Sequence, residues 1–102
     1  IDIIFVPIIS PYRESRSLAR NILNPDFYEI HLDADIDTLS RRDTKGLYLM
    51  AQQGKINNLI GVSKKNIYES PIKPDLYINT NNSSKKTTKS TFIEFVASKI
   101  NL

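Results

Sequence analysis

Two short stretches carry the residues whose types and spacing could do chemistry. Arg42-Asp43-Thr44-Lys45-Gly46-Leu47-Tyr48 packs two cations and a glycine into a short span. Ile9-Ser10-Pro11-Tyr12-Arg13 ends an apolar run with a serine placed before a helix. Arginine offers a planar fork for a phosphate or a face for a nucleobase, and lysine adds a point charge. Gly46 permits close backbone approach or an unusual torsion. A helix starting after Ser10 would present backbone donors to an anion, with Arg13 one turn in. Cations on a segment facing a strand-end loop suit a polyphosphate ligand. Each stretch also has a plainer reading, with Ser10 as an N-cap, Arg13 as a surface cation and Arg42 to Lys45 as a solvated helix face.

The surrounding pattern supplies elements to position them. Ile1 to Ile9 is almost wholly apolar and β-branched, which predicts a strand buried on both faces. Ser10 as N-cap and Pro11 at the first helical position would open a helix, with Tyr12, Ala19, Ile22 and Leu23 at helical spacing. Asn24-Pro25-Asp26 would stop it. Phe27 to Asp33 reads as a second strand, Asp35 to Arg42 as a short helix with Asp35 or Asp37 near its start, and Thr44 to Gln53 as a helix that Gly54 can end. Ile56 to Ser70 is irregular, and Pro71 and Pro74 mark an extended connection. Leu76 to Ile78 reads as a third strand. Ser83 to Lys89 reads as a solvated loop, and Thr91 to Glu94 as a capping box opening a last helix with Phe92, Phe95, Val96 and Ile100 inward. This order is α/β. Right-handed crossovers would make the strands parallel, and ligands would bind beyond their carboxyl ends.

Composition narrows the function classes. The chain has 102 residues, which favours one domain, and a net charge of +3 with a pI near 9.2, which favours anionic ligands without indicating nucleic acid. It has no cysteine, so thiolate chemistry, disulfides and cysteine zinc sites are excluded. This fits a reducing cytoplasm, the expected location. No apolar run reaches the length of a membrane span. His31 is the one histidine, expected to be structural rather than a metal ligand. The chain opens on Ile1 directly into a strand pattern, and we expect further polypeptide before it.

Taken together, Ile9-Ser10-Pro11-Tyr12-Arg13, Leu32-Asp33-Ala34, Arg42-Asp43-Thr44-Lys45-Gly46-Leu47-Tyr48, Tyr68-Glu69-Ser70-Pro71 and Pro74-Asp75 resemble the carboxyl-terminal half of the adenylyl-sulfate (APS) kinase family. The resemblance runs over nearly all of residues 1–102. It implies a P-loop-kinase-like parallel sheet with flanking helices, truncated at the amino terminus, with a lid at about 43–63. It further implies transfer of the γ-phosphoryl of ATP, with Mg²⁺, to the 3′-hydroxyl of adenosine 5′-phosphosulfate to give PAPS in sulfate assimilation.

By resemblance, Ser10 takes the place of a serine assigned as a phosphoserine intermediate. A substrate-positioning role suits it better, because in-line phosphoryl transfer needs positioning and charge neutralisation. Ile9 and Ser10 match contacts to the sulfonucleotide, with Arg13 beside them. Lys45, Gly46 and Leu47 match the part of the lid that closes over it. Arg42 and Thr80 match residues flanking the adenine of ATP. The implied partners are a small-molecule nucleotide, the amino-terminal half of the same protein and, for a homodimer, a second copy, with no nucleic acid or membrane.

The sequence departs from the family at several points. Gln52 replaces an arginine and Lys55 a glutamate. Leu59-Ile60-Gly61-Val62-Ser63 stands where the family has F-T-G-I-D. Leu59 cannot stack on an acceptor base as the family phenylalanine does, and such stacking is worth ~1–3 kcal/mol in nucleic-acid cases. An acceptor other than APS, such as cytidine diphosphoramidate in capsule synthesis, would fit a changed base pocket. G-x-x-x-x-G-K-[ST] occurs nowhere in the chain, so these residues alone are expected to be inactive. A non-catalytic nucleotide-binding module is the remaining alternative.

Overall fold

The structure, a computed structural model, describes residues 3–61 and 67–100. Asp2, Val62 and Ser63 therefore lie outside the described residues. Helix α1 is Arg13–Leu23, strand β1 Ile30–Asp33, helix α2 Ile36–Arg41, helix α3 Leu47–Gln52, strand β2 Leu76–Asn79 and helix α4 Lys85–Lys99, with a 3-10 turn at Thr80–Asn82 before α4.

β1 and β2 pair in parallel, with Ile30 opposite Leu76, His31 opposite Tyr77, Leu32 opposite Ile78 and Asp33 opposite Asn79. The expected α/β class with parallel pairing and flanking helices is therefore present. Side chains alternate across the sheet. Ile78 buries itself on one face, at 7 % exposure, and His31 on the other, also at 7 %. α1 lies against the His31 face, where Arg16 pairs with Glu29 at 3.1 Å and Arg20 sits over the Phe27 ring. α4 reaches Tyr28 through Phe95, edge to face with centroids 5.9 Å apart. His31 is packed between the rings of Tyr77 and Tyr68, a structural placement.

Three local features follow the sequence closely. Asp35 caps α2, its carboxylate accepting from the Thr38 amide at 2.7 Å. Gly54 ends α3 in the left-handed region at φ 75°, with its amide on the Ala51 carbonyl and the Lys55 amide on the Met50 carbonyl. The stripe Phe92, Phe95, Val96 and Ile100 is half-buried.

Four expectations are corrected. Ile3 to Ile9 is not a strand, and it stays exposed, with Ile4 at 84 % and Ile8 at 69 %. A strand needs a neighbour for its backbone donors and acceptors, and the sheet among the described residues has two members, β1 and β2. The second strand spans Ile30–Asp33 rather than Phe27–Asp33, matching the four-residue reach of its partner. Tyr12, not Ser10, is the N-cap of α1. Ser83 to Lys89 is not a loop, because Ser84 accepts from the Thr87 amide and opens α4 at Lys85, leaving Thr91 in mid-helix with no capping role. Lysine and threonine tolerate a solvated helix surface once a cap is supplied.

The chain is open rather than compact. Its radius of gyration is 15.6 Å, against ~13 Å for a compact domain of about this size.

Candidate functional site

The parallel register brings the ends of both strands to one edge, and the residues just beyond them hold one another. Asp33 ends β1. Its carboxylate accepts from the Tyr77 hydroxyl at 2.7 Å, and its carbonyl accepts from the Thr80 hydroxyl at 2.9 Å. Arg42, the C-cap of α2, forks onto Thr80, donating to the hydroxyl oxygen at 3.2 Å and to the carbonyl at 2.6 Å. Beside them Asp35 and Asn81 exchange two bonds, at 3.0 and 3.1 Å. Arg42 and Thr80 are thus brought together as a pair at the carboxyl end of the sheet, where α/β proteins bind ligands.

The electrostatics follow from these bonds. The hydrogen bond to Asp33, with some burial, pushes the Tyr77 phenol up. Burial pushes the Tyr68 phenol up. The Thr38 amide and hydroxyl hold Asp35 below the usual carboxylate range. Burial alone would raise Asp75, but the Arg20 guanidinium at 2.6 Å and the Glu29 amide outweigh it and hold it low.

Ser10 lies in a second cluster at the start of α1. Its backbone takes φ 40°, in the left-handed region that serine disfavours. Such a torsion costs on the order of 1–3 kcal/mol and persists only when its surroundings enforce it. Because Ser10 turns the chain away, its hydroxyl does not cap α1. Glu69 does so instead, its Oε1 accepting from the Arg13 amide at 2.9 Å. Arg13 donates through Nε to the Ser70 carbonyl at 2.9 Å, so this side chain is turned toward residues 69–70. Ile9, next to Ser10, is 62 % exposed.

The remaining candidates sit on the segment after α2. The Asp43 carboxylate accepts from the Tyr48 amide at 2.8 Å and so caps α3 from outside it. That reach requires the chain to fold back over residues 44–46, and Gly46 does so at φ 72°, the conformation for which glycine is suited. Lys45 is exposed, Leu47 lies at the exposed start of α3 and Leu59 is half-buried. Among the described residues no hydrogen bond or ion pair joins Lys45 or Leu59 to Ser10, or the Ser10 cluster to the Arg42–Thr80 pair.

The sequence motifs do not include Arg16, Glu29 or Tyr77. A signal for Arg16 exists, since Arg13, Arg16 and Arg20 at helical spacing form one basic face of α1. The Tyr77–Asp33 bond depends on register, which no local pattern reveals.

Among the described residues no helix is long and apolar enough to cross a membrane, and no cluster of three His, Asp or Glu side chains could hold a metal.

Known proteins match this chain along most of its length. The sequence pattern of the family described as adenylylsulphate kinase matches residues 1–79. The adenylyl-sulfate kinase of Halothermothrix orenii (strain H 168) is 38 % identical over 91 residues, which is 89 % of this chain and 48 % of the relative. The bifunctional enzyme NodQ of Rhizobium meliloti (strain 1021) is 46 % identical over 79 residues, 76 % of this chain and 12 % of the relative. The solved structure of the Mycobacterium tuberculosis APS kinase CysC, in complex with AMPPNP and APS, superposes with a TM-score of 0.76 at 33 % identity, covering 88 % of this chain and 52 % of that one. The chain spans about half the length of the curated adenylyl-sulfate kinases it matches. On this agreement of sequence and fold, the chain belongs to the adenylylsulphate kinase family.

Proposed function

We propose that the full-length protein containing this chain transfers the γ-phosphoryl of ATP to the 3′-hydroxyl of APS. The observation that carries this reading is the match to a solved APS kinase that holds AMPPNP and APS, together with the Arg42–Thr80 pair at the strand ends. In it, Ile9, Ser10 and Arg13 hold the acceptor, Lys45, Gly46 and Leu47 close over it within a lid at about 43–63, and Arg42 and Thr80 flank the adenine of ATP. Ser10 acts by orienting the acceptor hydroxyl, and the cations neutralise charge that spreads over the transferring phosphoryl.

Bound MgATP supplies the phosphoryl and the metal that neutralises it. The donor set present here fits the base end of ATP. Mg²⁺ would be held chiefly by the ATP phosphates, with a carboxylate or two from the protein, and Asp33 and Asp35 stand at the strand ends beside the Arg42–Thr80 pair. The phosphate-cradling loop is not among these residues, so catalysis draws on an amino-terminal half of the same protein, and residues 1–102 alone are inactive. The protein works in the cytoplasm.

Leu59 favours a second reading, in which the acceptor is another nucleotide 3′-hydroxyl, because a leucine forfeits aromatic stacking on the acceptor base. A transfer assay with radiolabelled MgATP on the full-length protein tests both. Label on APS supports the first reading, and label on a different nucleotide supports the second. Label on none of a panel of nucleotides overturns phosphoryl transfer and leaves a binding module.

A further inference from the structure

We propose that Arg16 is a positioning residue for the acceptor nucleotide, acting through the backbone of Ser10. The proposal rests on the reading of Ser10 as an acceptor contact. Arg16 spends three guanidinium nitrogens on three separate segments. Nη1 donates to the Ser10 carbonyl at 2.5 Å, Nη2 donates to the Glu69 carbonyl, and Nε pairs with Glu29 Oε2 at 3.1 Å. The group is mostly out of solvent, with the Arg16 side chain 11 % exposed and the Glu29 side chain 17 %. The Tyr68 ring lies 5.8 Å from the guanidinium carbon.

Around this fork the Ser10 turn is tied to residues 69–70 by several further bonds. The Glu69 amide donates to the Pro11 carbonyl at 2.8 Å, its carboxylate caps α1, and Arg13 reaches the Ser70 carbonyl. The disfavoured φ of Ser10 is enforced by these bonds, and the one made directly to Ser10 comes from Arg16. Without it the serine relaxes toward ordinary torsions and its hydroxyl leaves the direction it now takes. Lysine cannot copy the fork, since it is a compact charge on a flexible stem.

The test is steady-state kinetics on the full-length protein with APS and MgATP, paired with amide hydrogen exchange. Arg16→Ala is expected to raise KM for APS about tenfold or more, the scale of a lost hydrogen bond to a charged group, and to leave KM for ATP within about twofold. Arg16→Lys should recover part of the loss. Exchange should quicken at the Arg13 and Glu69 amides and stay unchanged in the β1–β2 ladder. An unchanged KM for APS, or equal rises for APS and ATP, overturns the proposal. Should Arg16→Ala lose ladder protection and fail to fold, Glu29→Gln decides. It loosens the fork without touching Ser10, and it should raise KM for APS about two- to threefold; no change would overturn the role. If the unmodified protein transfers nothing to APS, the proposed function fails on its own. The exchange comparison then decides whether Arg16 holds the Ser10 turn.

Discussion

The strand-end cluster and the Ile3–Ile9 run make opposite use of their residues. The first is polar and small, yet Asp33, Tyr77, Thr80 and Arg42 satisfy one another across two strands and a turn. The second has the most apolar and β-branched composition in the chain, yet it forms no ladder and leaves Ile4, Val6, Ile8 and Ile9 exposed. Composition alone does not make a strand. Pairing does, and the described residues provide it only between β1 and β2. The polar cluster is complete within these residues, and the apolar run has no ladder partner among them.

That contrast can be broken by substitution, and the largest effect is expected at the one buried aliphatic of the sheet. Ile78→Ala should destabilise the chain by about 2–4 kcal/mol in urea unfolding, as buried Ile-to-Ala changes do. A cost near zero would mean that β2 does not anchor the strand-end cluster. Leu59→Phe comes next. By restoring an aromatic platform it should improve use of APS by about 1–2 kcal/mol in kcat/KM in the full-length protein. An unchanged preference among acceptors would show that the base is held elsewhere. Lys45→Ala should raise KM for APS or lower kcat by about 1 kcal/mol, as for one exposed charge closing on a phosphate. Both constants unchanged would remove residues 45–47 from the site.

The pH response sharpens the comparison more gently. Asp35 and Asp75 are both held below the usual carboxylate range, so each binds its proton less readily folded than unfolded. Their stabilisation is present above the ordinary carboxylate pKa and is lost as pH falls through the folded values. Urea midpoints should therefore decline on acidification, and Asp75→Asn should flatten that decline. The smallest effect belongs to the apolar run. Ile8→Ser in residues 1–102 alone should change stability by under about 0.5 kcal/mol, because an exposed side chain contributes little. A large loss would place hidden packing on Ile8.

The same contrast explains how much of the molecule is legible in its sequence. A stop is legible where one residue decides it, as with Gly54 for α3, whereas the start of α2 is legible only to within Asp35 or Asp37, of which Asp35 is the cap. The α/β order is legible from apolar periodicity, and the site motifs from their resemblance to a family. The cap of α1 is not, because Glu69, 59 positions from Ser10 along the chain, supplies the carboxylate. The polar start of α4 is not legible either, because charge and hydroxyl content describe solvation, and a capped helix can be as solvated as a loop. The reach of Arg16 to Glu29 and Glu69 and the Tyr77–Asp33 bond join residues far apart in sequence, so only the folded chain reveals them.

The central claim is that the Ser10 turn and the Lys45–Leu47 segment serve one bound nucleotide. Titrating APS into isotope-labelled full-length protein while following the Ser10 and Lys45 amides tests it most directly. Both resonances should shift along one saturation curve with a common Kd. A shift at one of them alone, or two different midpoints, would contradict a shared site.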